Sequence, residues 1–240
     1  MQERMAVGRR ENSGLTKSAI KAPGAASSPG RRRKRVSPAV SAAKQALLEE
    51  KRQEILDVAE RLIQQHGYVG TTMEMITETL GASKPYVYYY FRNKQQVFET
   101  LCWRPSEACF TVMDFPADDG RGAHEKLAEG LERLLAETIR YAPASFFSHL
   151  YPQAHTPEFS AKIRALARNF YARMCALLEE AKRDGTVDCD NPMLTALAAC
   201  SIPGFLFTWY KSDGRLSPDE MVRQLTPLMY RVLGLRLSGE

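Results

Sequence analysis

Long apolar runs are missing from the 240 residues, because charged or polar side chains interrupt every hydrophobic stretch. A membrane-spanning helix needs about 20 consecutive apolar residues, so we expect no such helix and no membrane partner. The N-terminal region also has no apolar core of the kind that a signal peptide needs. The 44% hydrophobic content is still enough to build a buried core.

Cysteines are few and show no pairing pattern. Their number, five, is odd, and no CxxC pair occurs among Cys102, Cys109, Cys175, Cys189 and Cys200. We therefore expect a reduced, intracellular protein with buried thiols.

Signatures of catalysis and of metal binding are missing as well. No two histidines have the i, i+4 spacing that would place two metal ligands on one helix face. The sequence has no Cys/His cluster, no phosphate-binding glycine loop and no serine nucleophile elbow. We predict no catalytic residue, no metal site and no cofactor, and consider an enzyme poorly supported.

Strand-like alternation is absent, and the sequence predicts an all-α protein. The first helix is expected over residues 41–66, where apolar residues recur at helical spacing, and Gly67 supplies its stop. Later helices are expected near residues 122–141, 157–185, 191–211 and 218–235. The sequence "SPDE" at 217–220 combines an N-cap, an N1 proline and a capping glutamate at the start of the last helix.

Residues 71–90 predict two short helices joined by a glycine. Thr71 or Thr72 is the expected N-cap of the second helix, with Glu74 three residues after Thr71 as a capping box requires. Gly81 ends this helix, and Ser83 offers the next N-cap. Helix, glycine turn and helix form a helix-turn-helix, whose core the first helix must complete.

A fourth helix is expected to begin after Asn93, and Pro105 is expected to bend or end it. These patterns divide the chain into a disordered basic tail (1–40), a helix-turn-helix domain (41–104) and a helical C-terminal domain (105–240).

Positive charge is concentrated in the tail. Residues 1–35 contain ten Lys or Arg and two Glu, whereas the remaining residues contain 23 Lys or Arg and 26 Asp or Glu. The tail ends in "RRRKR" at residues 31–35. It is either a solvated arm or an arm that binds phosphates, and both readings stay open.

Three adjacent tyrosines, Tyr88, Tyr89 and Tyr90, lie in the third helix. Adjacent helical side chains point about 100° apart, so these three cannot all face one core. Val87 and Phe91, four residues apart, are the expected core positions of this helix. An outward-facing phenol combines an apolar ring with a polar tip and suits contact with a ligand.

The sequence resembles the TetR family of bacterial transcription regulators. The resemblance is densest from Ile55 to Leu101 and is carried by "GYVGTTMEMITETLGASKPYVYYYFRNKQQVFETL", with its paired threonines, glycine turn, Ser-Lys, aromatic helix and Asn-Lys. It departs from the family pattern at Thr77, where alanine is usual. The resemblance implies a bacterial, cytoplasmic, nucleoid-associated protein whose third helix enters the major groove of operator DNA.

The resemblance also implies which residues contact double-stranded DNA. Tyr89 is expected to reach a base edge or a thymine methyl group, whereas the hydroxyls of Tyr88 and Tyr90 and the ammonium of Lys94 are expected at phosphates. The full set is Thr71, Thr72, Ser83, Lys84, Pro85, Tyr86, Tyr88, Tyr89, Tyr90 and Lys94.

For the C-terminal domain, the resemblance implies a pocket for a small-molecule effector and dimerisation through the helices near 191–211 and 218–235. The candidate pocket residues are mostly aromatic side chains at helical spacing, and such side chains can equally belong to the ordinary core. They are Phe146, Phe147, His149, Tyr151, Phe159, Phe170, Met174 and Trp209.

The expected function is that of a homodimeric repressor that a small molecule releases from a pseudo-palindromic operator. Two alternatives remain open: an activator of the same fold, and a nonspecific architectural DNA-binding protein that uses its tail.

Overall fold

The computed structural model describes residues 38–235, and the predicted tail lies outside this part apart from its last residues. The first four helices are α1 (Pro38–Gly70), α2 (Met73–Leu80), α3 (Lys84–Tyr90) and α4 (Lys94–Phe110). The next five are α5 (Ala123–Arg140), α6 (Ala144–Leu150), α7 (Pro157–Arg183), α8 (Pro192–Gly204) and α9 (Pro218–Leu233). Short 3-10 turns follow α6 and α8, at Pro152–Ala154 and Leu206–Thr208.

The described residues contain one isolated antiparallel bridge, between Val187 and Leu235, and no longer strand. This confirms the all-α prediction. No helix in the same part of the chain is long and apolar enough to span a membrane.

Side-chain caps fix the starts of several helices. The hydroxyl of Thr72 accepts the amide N–H of Met75, and the side chains of Asn93, Thr156 and Asn191 do the same at α4, α7 and α8. At α9, Ser217 and Glu220 form the predicted capping box. Each cap satisfies a backbone donor that the first helical turn leaves free.

Two parts of the helix prediction need correction. The helix α4 does not end at Pro105 but continues to Phe110, with the buried proline inside it. The predicted domain boundary at 104/105 therefore falls inside a continuous helix. The helix α6 was not predicted, because its seven residues are too few for a periodic pattern to show.

The core has two parts. One is formed by α1 to α4 together with Ala144, Phe147, Ala154 and Phe159, so residues of the C-terminal domain complete the core around the helix-turn-helix. The other lies among α4 to α9, where α5 packs against α7 and α9. The side chains of α6 contribute to both parts.

Candidate DNA-binding surface and ligand cavity

The turn between α2 and α3 depends on Gly81. Its φ of 63° and ψ of 25° place it in the left-handed region, which glycine adopts without steric cost. The amides of Gly81 and Ala82 donate to the carbonyls of Glu78 and Thr77, so the last turn of α2 is closed. The Thr77 hydroxyl donates to the Met73 carbonyl at 2.7 Å, which satisfies this buried side chain within its own helix.

One face of α3 is anchored in the core and the opposite face is open. Val87 and Phe91 are fully buried, as predicted. Tyr89 has 72% of its surface exposed and Tyr88 has 43%. The short helix therefore has a fixed orientation and presents two aromatic rings to solvent.

The tyrosines support one another through edge-to-face ring contacts. The ring of Tyr89 lies 5.0 Å from that of Tyr90 at an interplanar angle of 90°, and Tyr90 lies 5.3 Å from Tyr86. Tyr86 and Tyr90 are half-buried against the core. Their packing restricts the orientation of the exposed Tyr89 ring, which lowers the entropy that a contact with this ring would cost.

The N-terminal end of α3 is exposed at Ser83, Lys84 and Pro85. Ser83 makes no side-chain capping bond. The Lys84 ammonium lies 3.2 Å from a carboxylate oxygen of Glu74, across the helix-turn-helix. Both partners are largely exposed, so this ion pair is weak and the lysine can exchange Glu74 for another anion.

A phosphate contact by Thr71 requires an exposed side chain, and Thr71 is not exposed. Its side chain is fully buried, and both its amide and its hydroxyl donate to the Gly67 carbonyl, at 3.2 and 2.9 Å. It is also not the N-cap of α2, because Thr72 fills that position. The residue instead closes the turn between α1 and α2, whereas Thr72 is exposed.

The ammonium of Lys94 already has hydrogen-bond acceptors within the protein. Its ammonium donates to the carbonyls of Tyr68 at 2.7 Å and Val69 at 3.3 Å, and lies 4.4 Å from the centre of the Tyr68 ring. These contacts satisfy backbone groups at the end of α1. Partial burial lowers the pKa of Lys94. A phosphate would have to compete with these carbonyls for the ammonium.

A cavity of about 200 Å³ lies in the C-terminal domain between α4, α5, α6, α7 and α8. Of the predicted pocket residues, Phe146, His149 and Phe170 line it. Sequence reasoning missed lining residues on α4, α5 and α8, among them Cys109, Thr138 and Cys200. The only signal for them was the presence of small side chains on helix faces that are otherwise apolar.

The other predicted pocket residues lie elsewhere. The core that contains the helix-turn-helix includes Phe147, on the opposite side of α6 from the cavity, and Tyr151, which directly follows α6. It also includes Phe159, in the first turn of α7. Met174 is fully buried in the C-terminal core, and the Cys200 thiol donates to its sulfur at 3.8 Å. Trp209 is 51% exposed. The structure therefore places these five residues outside the wall of this cavity.

An exposed apolar surface runs along α8 and α9. Its side chains are 42–63% exposed and comprise Met193, Leu194, Leu197, Leu228 and Val232. Phe205 and Trp209 follow α8 and are 63% and 51% exposed. We call these seven residues the α8–α9 surface. Exposed apolar side chains in this number on neighbouring helices are typical of an interaction surface.

Two family descriptions match the chain. Residues 55–101 match the N-terminal domain described as "Bacterial regulatory proteins, tetR family", and residues 120–233 match the "Tetracyclin repressor-like, C-terminal domain". The chain belongs to the TetR family. The two matches fall on the helix-turn-helix and on the helices around the cavity, and they confirm the predicted resemblance.

Individual relatives agree with this assignment. Over 112 residues, 46% of this chain, the sequence is 30% identical to the HTH-type transcriptional repressor AcnR of Corynebacterium efficiens. The chain spans about half of that relative's length, 55%. The TetR-family regulator PfmR from Thermus thermophilus superposes with a TM-score of 0.66 at 22% identity, over 76% of this chain and 99% of PfmR.

A third likeness is to AibR, whose crystal structure contains isovaleryl coenzyme A and operator DNA. Its TM-score is 0.62 at 21% identity, over 78% of this chain and all of AibR. At these identities, the two structural likenesses establish the fold.

Proposed function

We propose that this TetR-family protein is a ligand-responsive transcriptional repressor that binds a pseudo-palindromic operator as a homodimer. The observation that carries the proposal is the construction of α3, in which Val87 and the C-cap residue Phe91 are completely buried while most of Tyr89 is exposed. A helix held in this way can enter a major groove without deforming its own domain.

DNA contacts divide into those that read bases and those that hold phosphates. We assign base reading to the exposed face of α3, chiefly Lys84, Pro85 and Tyr89, with Tyr86 contributing the exposed part of its ring. Thr72, Ser83, Tyr88 and Tyr90 are the proposed phosphate contacts. Lys94 joins them if a phosphate replaces its carbonyl partners.

The α8–α9 surface is the proposed contact between two copies of the chain. It falls on the two helices for which dimerisation was predicted, and it exposes seven large apolar side chains. A dimer is needed because one helix-turn-helix offers too small a contact for tight, specific binding. Sedimentation of the protein at micromolar concentration tests this step, and a monomer that binds a single half-site would contradict it.

The cavity is the proposed effector site. A ligand can release the operator only by binding one conformation of the dimer more tightly than the other. Repression is favoured over activation because AcnR is named as a repressor. The position of the operator relative to the promoter distinguishes the two.

Substitution of Tyr89 tests the DNA-binding surface. The side chain is mostly exposed, so Tyr89→Ala should leave the melting temperature unchanged. Selection from a randomised duplex pool should show weaker base preference, with about 1–3 kcal/mol lost for each base contact. Tyr89→Phe is the matched control, because it keeps the ring that meets a thymine methyl group and removes only the hydroxyl. If Tyr89→Ala keeps the wild-type preference, the assignment of this residue is wrong.

A further inference from the structure

The cavity has no charged side chain in its wall. Among the described residues that line it, none is Lys, Arg, Asp or Glu. Four of the lining residues are the aromatic side chains Phe110, Phe146, Phe170 and Tyr171. An ionised ligand group placed here would lose its water without gaining an ion-pair partner, which is costly.

Most hydroxyl donors in the wall are already used by the protein. The Ser106 hydroxyl donates to the Cys102 carbonyl at 2.7 Å, and the Thr138 hydroxyl donates to the Leu134 carbonyl at 2.7 Å. The Ser145 hydroxyl donates to the Thr138 carbonyl at 2.9 Å. These groups add little donor capacity for a ligand, although their oxygens keep free lone pairs.

Tyr171 and His149 are the two polar rings among the other lining residues. Burial, with smaller contributions from the neighbouring Cys200 thiol, raises the pKa of Tyr171 to about 12, so its phenol stays protonated and can exchange the thiol for a ligand atom as its hydrogen-bond partner. His149 lies at the rim with its ring stacked on Phe207, at a centroid distance of 5.3 Å. Burial of this ring lowers the pKa of His149, so at neutral pH it offers one donor and one acceptor without charge. Both groups favour a neutral polar atom on the ligand.

The volume fits a small compound. An engineered apolar cavity of about 150 Å³ binds benzene. At about 200 Å³, this cavity has room for a slightly larger ring system. A coenzyme A thioester would bring phosphates that no lining residue can pair with, and it would exceed this volume.

We propose that the cavity binds a neutral aromatic or alicyclic compound of one or two rings that carries a single hydroxyl or carbonyl group. Tyr171 donates to, or accepts from, that group, and the aromatic wall covers the rings. The proposal rests on the proposed function only in treating the cavity as the effector site, because ligand binding can be measured without DNA.

Three naphthalene derivatives of similar size test the charge requirement by isothermal titration calorimetry on the full-length protein at pH 7. We expect 2-naphthol to bind at least about a hundredfold more tightly than the anion 2-naphthoate or the cation 2-naphthylmethylammonium, a difference of about 2.8 kcal/mol. Affinity for either ion equal to that for naphthol would overturn the proposal, as would no binding of naphthol.

Tyr171→Phe tests the polar contact. This variant removes one oxygen and keeps the ring, so it should fold. We expect its affinity for 2-naphthol to fall about five- to tenfold and its affinity for unsubstituted naphthalene to stay the same. Equal losses for both ligands would mean that Tyr171 only shapes the cavity. If naphthol binds as expected but operator DNA is not released, the ligand chemistry stands and the proposed repressor mechanism fails.

Discussion

Gly67 and Gly81 make a matched pair for testing how backbone geometry stabilises the DNA-binding domain. Both have positive φ, at 71° and 63°, but their ψ values are 168° and 25°. Gly81 is in the left-handed helical region, which Asn also tolerates. Gly67 is in a region that is essentially restricted to glycine, where other residues cost on the order of 1–3 kcal/mol.

The surroundings of Gly67 add to this cost. A Cβ at Gly67 would lie 3.3 Å from the Tyr151 hydroxyl oxygen, whereas nothing lies within 4 Å of one at Gly81. The Gly67 carbonyl also accepts both hydrogen bonds of Thr71. A shift of this peptide would disturb the Thr71 turn and the adjacent carbonyls that bind Lys94.

We therefore expect Gly67→Ala to lower the free energy of unfolding by about 0.6–2 kcal/mol, which is the backbone cost of about 1–3 kcal/mol less the gain of about 0.4–1 kcal/mol from a stiffer unfolded chain, with the contact at Tyr151 adding to the loss. Gly81→Ala should lose about 1 kcal/mol or less, because its left-handed cost of about 1–2 kcal/mol is offset by the same gain. Gly81→Asn should lose less stability than Gly81→Ala, because Asn tolerates the left-handed helical region. Gly67→Asn should gain no such advantage over Gly67→Ala.

Urea unfolding at one fixed protein concentration measures these differences, since the proposed dimer would make stability depend on concentration. The double variant Gly67→Ala/Tyr151→Phe should recover only the small steric part. Equal losses at Gly67 and Gly81 would refute the argument from ψ, and full recovery in the double variant would show that the contact with Tyr151 dominates.

Two further predictions concern positive charge. Lys94→Met should lower the free energy of unfolding by about 1 kcal/mol, because the carbonyls of Tyr68 and Val69 lose a charged donor. If stability is unchanged and binding to all DNA sequences is weaker, the ammonium contacts a phosphate instead. Deleting residues 1–35 should weaken binding to operator and scrambled duplexes alike. It should also flatten the slope of log affinity against log salt by roughly two or more units per dimer, since each phosphate contact contributes about 0.9. Equal slopes for the full-length and shortened proteins would mean that the tail makes no phosphate contacts.

Helix starts were predictable because they depend on a few adjacent residues. Ser217 and Glu220 accept each other's backbone N–H groups at the start of α9, and the Asn93 side chain accepts the Gln96 amide at the start of α4. The core positions Val87 and Phe91 followed from their spacing of four. Thr71 and Thr72 were harder to separate, since only the path of the chain before α2 decides which hydroxyl turns inward.

The cavity could not be derived in the same way. Periodicity shows which side of a helix is apolar, but not which neighbour covers it or whether the neighbours leave a space. Pro105 illustrates the limit, because a proline inside a sequence pattern usually indicates a helix end. Here α4 continues past it and carries Ser106, Cys109 and Phe110 into the cavity wall. Their small or apolar side chains are informative only once α5 and α8 are placed opposite them.

Phe146 and Phe147 show what α6 contributes to the protein as a whole. They are adjacent in sequence, yet Phe146 lines the cavity and Phe147 packs at 6.2 Å, ring centre to ring centre, against Phe98 in the core that contains the helix-turn-helix. Because protein interiors are closely packed, α6 cannot turn to suit a ligand at Phe146 without displacing Phe147 from that core. A ligand that fits the cavity as it stands would hold α6 in place, and one that needs more room would strain both contacts. The ring size that the cavity accepts therefore bears directly on whether a compound stabilises or disturbs the DNA-binding domain.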